Sequence, residues 1–115
     1  MEKRFEVILL DEVLEFLESL EYKHHEKILY NIDKVKVKND SELFKKLTDE
    51  IWEFRTLYQG LQYRLLAFWD KSSAVDTLVV STHGFVKKQS KVPDQEIEKA
   101  LQLRTKYFNE KQSKK

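Results

Sequence analysis

The spacing of apolar positions divides the chain into a strand, two helices, a run of strands and a last helix. Arg4 to Leu10 reads as a short strand with a largely apolar end. Asp11 then stands as an N-cap, and Val13, Phe16, Leu17 and Leu20 recur at i, i+3, i+4 and i+7, one stripe of an amphipathic helix. Glu12, Glu15 and Glu18 cover its outer face. The same period predicts a second helix from Tyr22 to Val37, burying Ile28, Leu29, Ile32 and Val35. Asn39-Asp40-Ser41 marks a turn, and Glu42 to Leu47 reads as a helical turn or a loop.

Beyond Ile51 the pattern becomes that of strands. Ile51–Tyr58 and Leu61–Trp69 flank Gln59-Gly60, a short hairpin signal in which Gly60 supplies positive φ. Thr77 to His83 forms the next strand, reached through the polar loop Asp70–Asp76. Pro93 opens a final helix as an early helical residue, with Ile97, Ala100, Leu101 and Phe108 as its buried stripe. The predicted order is β-α-α-β-β-β-α, an α+β fold class with a small antiparallel sheet and helices packed on one face. A single domain over residues 1–110 is expected, followed by a frayed basic tail at 111–115 in which Lys111, Lys114 and Lys115 stay solvated.

Composition narrows the class. A chain of 115 residues supports one hydrophobic core, and two glycines with one proline leave little room for a loop-built site. The absence of cysteine excludes disulfides and thiol catalysis and fits a reducing cytoplasm, the expected location. No apolar run approaches a membrane span, and Val7 to Leu10 is too short for a secretory core. Net charge is only +1 but unevenly placed. Residues 1–34 carry nine acidic and five basic side chains, whereas residues 84–115 carry nine basic and four acidic. Such polarity can give one anion-attracting face despite a near-neutral total.

The hairpin concentrates the candidate chemistry. With a two-residue loop at Gln59-Gly60, opposed positions sum to 119, so Arg55 faces Arg64 while Phe54 faces Leu65 and Trp52 faces Ala67. Directly opposed like charges destabilise a sheet, so two guanidinium groups side by side argue for a phosphate between them. The alternative pairs each arginine with a carboxylate such as Glu53 or Glu50. Thr82-His83-Gly84-Phe85-Val86-Lys87-Lys88 would bring His83, Lys87 and Lys88 to the rim of the same face, where an imidazole can exchange protons near neutral pH. The plainer readings are a strand-end histidine bonded to backbone and lysines in a solvated turn. Lys45 and Lys46 either border the face or sit on the outside of a helical turn. Tyr107 is read first as core packing and second as a base-stacking ring. His24 and His25 are adjacent on a helix, so they cannot share one metal and are read as surface or partly buried residues. No zinc or calcium spacing, phosphate-cradling glycine loop or nucleophile elbow is present, and no cofactor is expected.

Taken together, LFKKLTDEIWEFRTLYQGLQYRLLAFWD and LVVSTHGFVKKQSKVPDQEIEKALQLRTKYF resemble the HigB-like branch of the RelE/ParE toxin superfamily over residues 43–108. The W-E-F-R and Y-R strands, H-G-F-x-K-K and the P-x-x-E-I-x-x-A helix carry the resemblance. It implies a toxin of a type II toxin–antitoxin pair, a metal-independent and ribosome-dependent mRNA endoribonuclease. Arg55, Arg64, Lys87 and Lys88 fall on the matching basic positions, with His83 as a proton-transfer group; Lys45, Lys46, Arg104 and Tyr107 are carried as RNA-binding positions. The implied partners are a cognate helix-turn-helix antitoxin and mRNA on the ribosome, with no membrane. Such a mild net charge suits a cleft acting on RNA that the ribosome holds. Two alternatives are a ParE-like gyrase inhibitor and an inactive antitoxin or RNA-binding module.

Overall fold

The structure is a computed structural model that describes residues 4–72 and 78–113. In chain order it contains β1 (Glu6–Leu9), α1 (Asp11–Glu18), α2 (Tyr22–Val37), β2 (Phe44–Lys46), β3 (Trp52–Tyr58), β4 (Leu61–Asp70), β5 (Leu78–Val86) and α3 (Asp94–Ser113). The five strands form one sheet in the order β1-β5-β4-β3-β2. The α+β class is therefore as the sequence implies, with an extra strand. Glu42 to Leu47 is neither helical turn nor plain loop: Phe44–Lys46 pairs with β3, because Phe44 stacks on Phe54 and Trp52. The expected loop at 70–76 and the expected strand start at Thr77 fall partly on residues 73–77, and the end of the expected tail on Lys114 and Lys115, all outside the described residues.

Two features of the expected sheet are corrected. It is mixed, since β1 runs parallel to β5 while the other pairs are antiparallel. Helices also cover both faces rather than one. The reason is the run Leu65-Leu66-Ala67-Phe68 in the central strand β4, which is buried on both sides. Leu65 and Ala67 join Phe54, Val79 and the α1/α2 residues Val13, Leu17, Ile28, Ile32 and Val35 in one core. Leu66 and Phe68 join Ile51, Val80 and Ala100 of α3 in a second. Each such side chain stabilises the fold by roughly 1.5–3 kcal/mol.

Local details set the geometry of the site. Gln59 (φ 49°) and Gly60 (φ 81°) form the two-residue turn, and the resulting register pairs Arg55 with Arg64, Phe54 with Leu65 and Trp52 with Ala67. His24 of α2 is buried more deeply than the surface or partial burial expected, while His25 is partly buried as expected. The Nδ1 of His24 lies 2.7 Å from the Tyr63 hydroxyl and its Nε2 3.0 Å from Gln59 Oε1, which ties the hairpin to the helix. Between Leu66 and Ala67 the β4–β5 register shifts, leaving Thr82 as a bulge. Gly84 has a packing reason: a Cβ there would lie 2.5 Å from both the Leu65 and Phe16 side chains, so only glycine lets α1 close on β5. Asp11 is the first residue of α1 rather than its cap. α3 continues past Phe108 to Ser113, and Lys111 is not a solvated tail residue but bonds to the sheet.

Candidate functional site

Strand alternation sorts the basic residues. On the face carrying α3, the paired rows run Lys45–Glu53–Leu66–His83, then Arg55–Arg64–Phe85, with Leu57–Gln62 beyond. The backbone N–H of Lys87 donates to Gln62 O at 2.7 Å, and continued alternation puts its side chain on this last row. The helix α3 packs over the sheet from His83 to Asp70, so the Arg55 and Gln62 rows lie beyond its N-terminus. There a cleft of about 490 Å³ opens at the sheet edge. Its sheet side presents Arg55, Leu57, Gln62 and Arg64; its other wall is α2, with Lys27, Tyr30 and Lys34.

The two arginines differ in state. Arg55 is half-buried and its side chain reaches the cleft without an ion pair among the described residues. Arg64 is not exposed, as a catalytic arginine on an open sheet would be; only 3% of its surface is accessible. Its Nε lies 2.8 Å from Glu53 Oε1, Nη1 donates to Tyr63 O at 3.0 Å and Nη2 donates to Gln62 Oε1 at 3.1 Å. The Nε–H is not aimed along its contact, so the Glu53 pair is held by charge rather than by an aligned hydrogen bond. Burial pulls the Arg64 pKa down; Glu53 opposes that shift and Arg55 adds to it. Thus the paired-carboxylate reading holds for Arg64, while Arg55 has no carboxylate partner among the described residues.

His83 is buried one row away from the arginines. Its Nε2 lies 3.0 Å from Glu96 Oε1 of α3, and its Nδ1 lies 3.0 Å from Thr82 Oγ1 in the bulge. Burial lowers its pKa and Glu96 pulls the other way, so the ring is largely neutral at pH 7. In the neutral tautomer that donates from Nε2 to Glu96, Nδ1 is an acceptor for the Thr82 hydroxyl, which also lies 3.3 Å from Leu66 O, its other acceptor. That arrangement fixes the start of α3 on the sheet and leaves neither nitrogen for a substrate.

The remaining candidates are dispersed. Lys88 is exposed in the turn after β5, and Lys45 is exposed beside Glu53. Lys46 and Arg104 instead line a different cleft with Trp52 and Trp69, where Arg104 Nη1 pairs with Glu50 Oε2 at 3.1 Å. Tyr107 is committed to the core edge. Its hydroxyl donates to buried Asp70 Oδ2 at 2.7 Å, and burial and that carboxylate together push its pKa up to about 12. Burial alone would raise the Asp70 pKa, yet hydrogen bonds from Lys111, the Ser72 hydroxyl and N–H, and Tyr107 hold it well below the usual carboxylate range. Sequence reading missed Lys27, Tyr30 and Lys34 as a wall of the cleft. Their i, i+3, i+7 spacing beside the buried Ile28–Ile32–Val35 stripe is the signal that could have found them.

Among the described residues no group of three or more His, Cys, Asp or Glu could hold a metal ion, and no helix is long and apolar enough to cross a membrane. What the cleft offers is four basic side chains, Lys27, Lys34, Arg55 and Arg64, against the two acidic ones Asp40 and Glu42, around a space open to an anionic ligand. No curated protein and no solved structure matches the chain. A family model does, over residues 15–105, which takes in the second half of α1, all of α2, the strands β2–β5 and the first part of α3. The chain therefore belongs to the phage-derived Gp49-like family (DUF891), a toxin-like family associated with toxin–antitoxin systems.

Proposed function

We propose that the chain is the toxin of a type II toxin–antitoxin pair, an endoribonuclease of the HigB-like kind that cuts mRNA on the ribosome in the cleft of Arg55 and Arg64. The observation that carries this reading is the direct pairing of the two arginines at the wall of a cleft that α2 lines with two lysines. Like charges opposed across a strand pair cost stability; Glu53 offsets the charge of Arg64, which leaves Arg55 as the cation for a ligand to balance. A phosphodiester is such a ligand.

The chemistry follows from what each side chain can do. Arg64, fixed by Glu53, Tyr63 and Gln62, supplies an oriented charge that needs no reorganisation as negative charge builds on the phosphorus oxygens. Arg55, free in the cleft, makes the direct contact, and Lys87 extends the same face. With the 2′-hydroxyl held in line, its oxygen bonds to the adjacent phosphorus as the P–O5′ bond breaks; the 2′ proton passes to solvent, the 5′-oxygen leaves and takes a proton from solvent as a 5′-hydroxyl, and a 2′,3′-cyclic phosphate remains. His83 acts through α3, as a positioning residue. Charge stabilisation of this kind accounts for about 10²–10³-fold in rate per donor removed.

The test uses the purified full chain and ribosomes programmed with a defined mRNA. The expected result is cleavage in the decoding region, 2′,3′-cyclic phosphate ends, and no cut when the nucleotide before the break carries a 2′-deoxy sugar. Cleavage that persists on the deoxy substrate sinks the mechanism. A small helix-turn-helix protein encoded beside the chain is expected to bind it and stop the reaction.

A further inference from the structure

The α2 wall of the cleft carries a feature that neither the arginine pair nor the family match assigns. Lys27, Tyr30, Asn31 and Lys34 follow one another at helical spacing along the cleft. Asn31 is spent on the fold, since its Nδ2 donates to Thr56 Oγ1 at 2.9 Å inside the core. The other three are not. Tyr30 is 61% exposed, so its ring is left uncovered by the fold beside the cleft. The Lys27 ammonium lies over one face of the Tyr30 ring, 5.1 Å from its centroid and within cation–π range, so a base would stack on the opposite face. Lys34 is exposed and has no ion pair among the described residues. Seven residues separate the two lysines, about 10 Å along the helix axis. Across the cleft stand Arg55 and Arg64.

An exposed aromatic ring with a lysine on each side, at a cleft that Arg55 also lines, matches what single-stranded RNA presents: a flat base with phosphates on either side. The cleft is also lined by Asp40 and Glu42; Asp40 Oδ1 accepts the Glu42 backbone N–H at 2.9 Å, closing the loop before β2, and the four basic residues of the lining outnumber these two carboxylates. Resting on the nuclease reading above, we infer that this wall is a nucleotide subsite: Tyr30 stacks a base of the single-stranded RNA next to the scissile phosphate, and Lys27 and Lys34 hold the phosphates beside it. This makes α2 a substrate-binding element, in addition to its part in the core.

The experiment is fluorescence anisotropy of a short 2′-O-methyl single-stranded RNA, which can bind but not be cut, titrated with the full chain. Tyr30→Ala is expected to weaken binding about 5- to 150-fold, the range for loss of one base stack, while Tyr30→Phe stays within about twofold of wild type. Lys34→Ala should lower the slope of log affinity against log salt by about 0.7, as for one phosphate contact. Binding by Tyr30→Ala equal to wild type, or no measurable binding by wild type at low salt, overturns the subsite. Loss of binding to a protein partner in Tyr30→Ala with RNA binding intact also overturns it. The two readings separate cleanly. Tyr30-dependent RNA binding with no cleavage on ribosomes removes the nuclease reading and keeps the subsite; cleavage indifferent to Tyr30 does the reverse.

Discussion

Replacing Arg64 with alanine should unfold the protein more readily before it says anything about catalysis. The side chains of Arg64 and Glu53 are 4% and 8% accessible, so the substitution strands a carboxylate in the core with no compensating charge. Breaking a buried pair from one side costs about 3–5 kcal/mol, a large part of the roughly 5–15 kcal/mol that holds a domain together. For a chain of this size that corresponds to a fall in Tm of about 10–20 °C. Two controls isolate the cause. Arg55→Ala removes a half-buried cation that repels Arg64, and should leave stability within about 1 kcal/mol of wild type, or raise it. The double variant Glu53→Leu with Arg64→Met removes both charges and should recover most of the loss. Urea and thermal melts followed by circular dichroism read all four proteins. An Arg64→Ala protein that melts within about 1 kcal/mol of wild type refutes the buried-pair account. Loss of activity in that variant would then again implicate the guanidinium itself.

Two further predictions concern how α3 is held. His83 has a folded pKa below its ordinary 6.5, so the unfolded chain binds the proton more readily; its contribution is full above about pH 6.5 and is lost as pH falls below it. Tm measured from pH 7.5 down to 5.5 should therefore decline less steeply in His83→Gln than in wild type, and equal slopes would remove the histidine from the explanation. Asp70→Asn should cost about 2–3 kcal/mol by weakening the Lys111 and Tyr107 bonds. It should also speed amide exchange in the last two turns of α3; unchanged exchange there would show that the latch does not hold the helix.

Most of the fold was legible because its signals are local. The apolar stripes of α1 and α2 and the Gln59-Gly60 turn led to the right helices and to the Arg55–Arg64 register. What failed depended on partners distant in sequence. Phe44–Lys46 is too short to read as a strand and is one only because Phe44 stacks on β3. The parallel pairing of β1 with β5, and the use of both sheet faces, depend on long crossovers that no window of the chain displays. At the site the same limit applies. Spacing located the arginines together but not the ion pair that buries Arg64 against Glu53, nor the bulge at Thr82 that turns His83 toward Glu96. The wall of α2 was hidden because Lys27, Tyr30 and Lys34 look like any solvated helix face until the hairpin is docked against it.

The central claim is that Arg55, beside the fixed Arg64, contacts mRNA and drives its cleavage. Mapping of mRNA 5′ ends after brief induction of wild type and of Arg55→Ala tests it most directly, because Arg55 makes no ion pair among the described residues and its removal is expected to leave the fold intact. New ends within translated frames in wild type, absent in the variant, are the predicted result. Halted growth with intact transcripts, or the same ends in both proteins, would contradict it; the first outcome together with DNA damage would point to a gyrase-directed toxin instead.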